Sequence, residues 1–139
     1  AQGASPTRLR FVESLEAAVK GADLIQENVP ERLDLKRKIL AELDAASAPE
    51  VLIGSSTSGF KPSDLQQACT RAPGREIVAH PFNPVYLLPL VELVGGEATA
   101  PDQLECARTL YQALAMRPLV VRREIFCSDS EPSLSLFSA

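Results

Sequence analysis

The stretch LDLKRKILAELDAASAPEVLIGSSTSG, residues 33–59, decides the fold. Leu35, Ile39, Leu43 and Ala46 recur at helical spacing with charges on the other face, so residues 33–46 are predicted to form an amphipathic helix. Ser47-Ala48-Pro49 breaks it. Val51-Leu52-Ile53-Gly54 is then a short unbroken apolar run, the mark of a strand covered on both faces. It leads straight into the hydroxyl cluster Ser55-Ser56-Thr57-Ser58-Gly59.

Working outward, the same alternation continues on both sides. Upstream, Arg8 to Val12 alternates charged and apolar residues and reads as a strand. Ser14 is placed to cap a helix that Gly21 stops, and Asp23 to Val29 has the apolar content of another strand, with Pro30 ending it and opening the next helix. Downstream come a helix near Ser63 to Cys69, a strand Glu76 to Ala79 leading into His80, and a strand Leu90 to Val94 stopped by Gly95-Gly96. Pro101 to Ala115 reads as a helix with a stripe of Leu104, Ala107, Tyr111 and Leu114, followed by a strand at 119–122. Nothing in that helix ties it to chemistry. Strands alternating with helices imply an α/β fold with a mostly parallel sheet.

The chain has 139 residues, 45% of them hydrophobic, which suits one soluble domain. A net charge of -4 provides no basic field for a nucleic-acid partner. The longest apolar stretch, Val85 to Val94, is too short to span a bilayer and is interrupted by Pro89 and Glu92, so no membrane partner is expected. No basic-then-apolar leader opens the sequence, and a cytoplasmic location is expected. Cys69, Cys106 and Cys127 are widely spaced and odd in number, so a disulfide framework is not expected. With one histidine and no close cysteine pair, neither is a metal site.

Glu92 carries the clearest chemical signal. Its neighbours Leu90, Val91, Leu93 and Val94 are all apolar, and a carboxylate in such a strand is costly unless paired. His80 precedes it by twelve residues, across a turn rich in proline. Two strands joined by that loop can place the two side chains together, as an imidazole oriented and supported by a carboxylate. Ser58 lies beyond the carboxyl end of a predicted strand, where ligands bind in open α/β sheets. Glu31 and Lys36 follow another strand; by composition alone both read as solvent-facing residues of a first helical turn.

The run HPFNPVYLLPLVELVGG, residues 80–96, contains His80-Pro81-Phe82-Asn83-Pro84 and then Glu92. It resembles the His-x-Phe-Asn-Pro motif of the 3-hydroxyacyl-CoA dehydrogenase superfamily, including the step to the glutamate. Within that superfamily it looks most like the L-carnitine dehydrogenases. ADLIQENVPERLDLK (22–36) and SSTSG (55–59) resemble the same family in the same order, so the likeness covers roughly residues 8 to 125. The resemblance implies a partial Rossmann-type domain, NAD as cofactor, and oxidation of a secondary alcohol at carbon 3, with a small-molecule substrate such as L-carnitine. It implies His80 as base, Glu92 as its orienting acid and Ser58 as a hydrogen-bond partner of the reacting oxygen. It places Glu31, Lys36 and Ser58 along the cofactor. Phe82 and Tyr86, with Phe60 a weaker third, are candidates to face a trimethylammonium group. Another 3-hydroxyacyl-CoA or hydroxy-acid dehydrogenase is the alternative substrate class, and a non-catalytic remnant the alternative of another kind.

Departures from the pattern set further expectations. The glycine-rich G-x-G-x-x-G turn does not occur, so the first β-α-β unit is expected to lie upstream of Ala1. The helical dimerisation domain that makes such enzymes homodimers is expected to be missing as well. Residues 1–125 are therefore read as the later part of an NAD-binding domain. Residues 126–139, FCSDSEPSLSLFSA, are read as an irregular tail, consistent with a changed reading frame near Phe126.

Overall fold

A computed structural model describes residues 6–124. Its centre is a five-stranded sheet in the order β1-β2-β3-β4-β5. The strands are β1 (Leu24–Glu27), β2 (Leu52–Ser55), β3 (Glu76–Pro81), β4 (Leu90–Val94) and β5 (Arg117–Val121). β1–β2, β2–β3 and β4–β5 pair in parallel, and β3–β4 pair antiparallel. The sheet is thus mostly parallel, as expected. The helices are α1 (Leu15–Val19), α2 (Leu33–Ala46), α3 (Pro62–Gln66) and α4 (Pro101–Ala113). The tail read at 126–139 lies outside the described residues.

Side-chain alternation along the strands gives the sheet two apolar faces. On one, Ile53, Val78 and Val94 meet Val19 of α1, Leu40 and Leu43 of α2 and Leu65 of α3. On the other, Leu52, Ile77, Val91 and Leu93 meet Ala107 and Tyr111 of α4. β2 is buried at all four positions, as its unbroken apolar run predicts. The Ser14 hydroxyl caps α1 by accepting from Ala17 N at 3.1 Å, and Gly21 takes the left-handed φ of 72° that ends this segment.

Four expectations are corrected. Residues 8–12 form no strand: a 3₁₀ turn at Pro6–Arg8 is followed by irregular chain with Phe11 91% exposed. Alternation makes a strand only where a partner edge takes its hydrogen bonds, and among the described residues none pairs here. The buried face of α2 is turned from the predicted stripe: Lys36, Leu40, Leu43 and Asp44 are buried, while Ala46 is exposed. Two charges lie inside because each has an opposite charge against it. α3 begins at Pro62 and ends at Gln66, shorter than expected. Leu114 falls off the α4 stripe and is exposed.

Candidate active site

β3 runs through His80 to Pro81, longer than its apolar residues alone suggest. The antiparallel ladder sets His80 opposite Glu92, so both side chains project from one face, the face of Val78 and Val94. His80 Nδ1 lies 3.4 Å from Glu92 Oε2, and the two side chains are 22% and 23% exposed. The carboxylate is not deeply buried; it escapes the full cost of desolvation by meeting both the imidazole and solvent. An Nδ1–H donated to Glu92 leaves Nε2 as the ring's free lone pair. Phe82 packs on the same imidazole, ring centroids 5.6 Å apart.

The hydroxyl cluster continues from the carboxyl end of β2, beside the carboxyl ends of β1 and β3. Ser55 donates to Glu27 Oε2 at 2.5 Å, Ser56 to Asn28 Oδ1 at 2.6 Å and Thr57 to Glu31 Oε1 at 2.5 Å. Thr57 Oγ1 also accepts from the Gly59 and Phe60 amides. Ser58 is exposed, and among the described residues only its backbone N–H is engaged, with Glu31 at 3.2 Å. Among these four side chains, Ser58 is the one whose hydroxyl is left for a ligand.

Glu31 and Lys36 join the same cluster by different routes. Glu31 Oε1 takes hydrogen bonds from Thr57 and from the Ser58 and Gly59 amides, clamping the turn to the chain after β1. Burial opposes its ionisation, but Thr57, the Gly59 amide and Lys36 outweigh that and hold its pKa below the ordinary value. Lys36, by contrast, is 1% exposed, which overturns the composition-based expectation of a solvent-facing lysine. Its ammonium meets both oxygens of buried Glu27 at 3.1 Å, the Val29 carbonyl at 3.1 Å and Glu31 Oε2 at 3.4 Å. Glu27 carries no role predicted from sequence, although an acid in the apolar run DLIQENV is the same signal that Glu92 gives.

The structure therefore gathers Glu31, Lys36 and Ser58 beyond the carboxyl ends of β1 and β2, His80 and Glu92 on β3 and β4, and Phe82 just past the end of β3. Tyr86 lies in the β3–β4 loop, 86% exposed. Phe60 instead packs against the core on the α2 face.

A mostly parallel sheet covered by helices on both faces, with a histidine–carboxylate pair and a hydroxyl turn at its strand ends, has the architecture of a Rossmann-type domain. The chain belongs to the 3-hydroxyacyl-CoA dehydrogenase NAD-binding domain family, whose pattern matches residues 2–125. It is 56% identical over 125 residues to an L-carnitine dehydrogenase of Pseudomonas putida, covering 90% of this chain and 39% of that protein. An L-carnitine dehydrogenase of Bacillus cereus is 57% identical over 125 residues, covering 90% and 38%. Among solved structures, it is similar to 5-formyl-3-hydroxy-2-methylpyridine 4-carboxylic acid 5-dehydrogenase, an NAD+-dependent dismutase. That likeness has a TM-score of 0.78 and 33% identity, over 84% of this chain and 37% of that one. The chain thus spans about two fifths of the length of the relatives it matches.

Proposed function

We propose that this chain carries the proton-transfer site of an NAD-dependent enzyme that oxidises the 3-hydroxyl of L-carnitine to 3-dehydrocarnitine. The observation that carries the reading is the cross-strand pairing of His80 with Glu92, at 3.4 Å, at the strand ends that also bear the Ser58 hydroxyl. Nε2 of His80 accepts the substrate's hydroxyl proton. Glu92 holds the other ring nitrogen and stabilises the imidazolium that forms. Ser58 donates to the reacting oxygen as it becomes a carbonyl.

Beyond the carboxyl end of β2, the Ser58 hydroxyl, unengaged among the described residues, stands on a turn that Glu31 holds in place, a donor suited to a bound dinucleotide. Glu31 and Ser58 would border NAD directly, whereas Lys36, enclosed by Glu27, Val29 and Glu31, would act by holding Glu31. NAD, when bound, would supply the redox chemistry as acceptor of the hydride from carbon 3. Phe82 and Tyr86 offer aromatic faces to the trimethylammonium group, which has no hydrogen to donate. The identity to named L-carnitine dehydrogenases supports the substrate. A cytoplasmic homodimer is part of this reading, and light scattering of the full-length protein tests the dimer.

The reading is tested in the full-length protein carrying this chain by following nicotinamide absorbance with L-carnitine and with 3-hydroxybutyryl-CoA. Turnover of L-carnitine is expected, with His80→Ala lowering kcat by at least ~100-fold. Turnover of the thioester alone overturns the substrate, and a near-normal rate for His80→Ala removes it from the mechanism. Phe82→Ala and Tyr86→Ala should each raise KM for L-carnitine by about threefold to thirtyfold, the equivalent of a cation–π contact.

A further inference from the structure

Gln26 is a polar side chain on the face of β1 that α4 covers, where its neighbours across the sheet are apolar. Its amide nitrogen lies 3.0 Å from the carbonyl of Ala79, the residue before His80. β1 and β3 are not neighbours; β2 runs between them. The amide reaches over β2 because the β2 residue in register with it is Gly54. A Cβ at that position would stand 2.6 Å from the Tyr111 hydroxyl oxygen and 2.9 Å from the Ala79 Cβ. The same amide nitrogen meets Ser56 Oγ at 2.8 Å and the Gly54 carbonyl at 3.3 Å.

The Ala79 and Gly54 carbonyls, which can only accept, fix which way this amide points. Tyr111 is buried against the sheet, and its hydroxyl donates to Gln26 Oε1. With the NH₂ group committed to the two carbonyls and Ser56, Oε1 faces α4, and the Tyr111 hydroxyl holds it there. Ser56, accepting from Gln26, gives its own hydrogen to Asn28 at 2.6 Å. One polar string thus runs from α4 through the middle of the sheet to the edge where the candidate site lies. It ties the end of β3 that carries His80 to the turn that carries Ser58.

We propose that Gln26, held in place by Tyr111, is a positioning residue that sets His80 and Ser58 at the spacing a bound alcohol requires. The inference rests on the dehydrogenase reading above. Alignment of base, hydroxyl and substrate is steeply distance-dependent, and a shift of about 1 Å can cost ~100-fold in rate. Losing one hydrogen bond of this string should cost less, because the β2–β3 ladder still holds β3.

The test uses Tyr111→Phe, which keeps the ring and removes only the hydroxyl, with Gln26→Met as a second variant and both combined. They are made in the full-length protein and assayed well below its melting temperature. Each single change is expected to lower kcat for L-carnitine about tenfold while KM for NAD stays within twofold. The double variant should be no slower than the slower single, since the two residues act as one unit. The ring resonances of His80, assigned by their loss in His80→Ala, should shift in both single variants. Lowered melting temperature with kcat and the His80 resonances unchanged overturns the inference and leaves a purely structural bridge. If His80→Ala is itself as active as the parent, the dehydrogenase reading fails, and the positioning role falls with it. If His80→Ala is inactive while Tyr111→Phe turns over normally, only the positioning role is lost.

Discussion

Glu76, the first residue of β3, is wholly buried, and neither of its carboxyl oxygens has a hydrogen-bond partner among the described residues. Burial, with the nearby charges of Glu27 and Glu124, raises its pKa well above the ordinary 4.5. The folded state therefore holds this proton more tightly than the unfolded chain. Its contribution to stability is complete below pH 4.5 and is lost as pH rises through the elevated folded value. Replacing Glu76 by Leu should stabilise the fold by about 1–3 kcal/mol at neutral pH, the range for removing an unsatisfied buried polar group. The gain should shrink toward pH 4.5, and urea melts at several pH values check it. A gain that is constant with pH would show that the proton is not involved. Glu31 has the opposite sign: its lowered pKa means that its contribution disappears as pH falls through the folded value. For His80, nitrogen shifts of its single imidazole should report the Nδ1–H tautomer, and Glu92→Leu should move the neutral ring toward Nε2–H.

Among the elements, α2 shows how a charged side chain comes to lie in a core. Asp44, in the last turn of α2, is buried and accepts from the Arg71 amide at 2.7 Å, the Ala72 amide at 3.2 Å and Arg75 Nη2 at 2.9 Å. Burial disfavours its charge, but these donors prevail and lower its pKa. Arg75 also donates to the Asp44, Ala48 and Val51 carbonyls, so one ion pair closes the seam between α2, the start of β2 and the start of β3. Asp44→Ala strands a buried guanidinium and should cost about 3–5 kcal/mol of stability, measured by denaturant melts. A loss below about 1 kcal/mol, the size of a surface pair, would mean that water reaches Arg75 in the variant. Sequence periodicity could not place Asp44 inward, because its partner lies thirty-one residues away and is brought to it only by the β2–β3 pairing.

At the scale of the whole molecule, the helices cover the middle of the sheet better than its margins. β1 and β5 are the two edges of the described sheet. Leu119 and Val120 on β5, and Leu9, Phe11 and Val12 ahead of α1, are exposed. Unpaired edges with apolar side chains favour association between copies. Leu119→Lys should reduce concentration-dependent self-association of the 139-residue chain in sedimentation velocity. Unchanged sedimentation would exonerate the β5 edge.

Local patterning determined the alternation of strands and helices, the buried β2 and the Ser14 cap, since each depends on residues a few positions apart. The pairing of His80 with Glu92 was legible because a short loop joins their strands, so spacing along the chain predicts spacing in the sheet. Tertiary structure alone decided that Lys36 and Asp44 are buried, that three of the four clustered hydroxyls are already engaged, and that Tyr111 reaches Gln26. Those contacts join residues up to 85 positions apart, and their energy depends on partners that only the assembled sheet supplies.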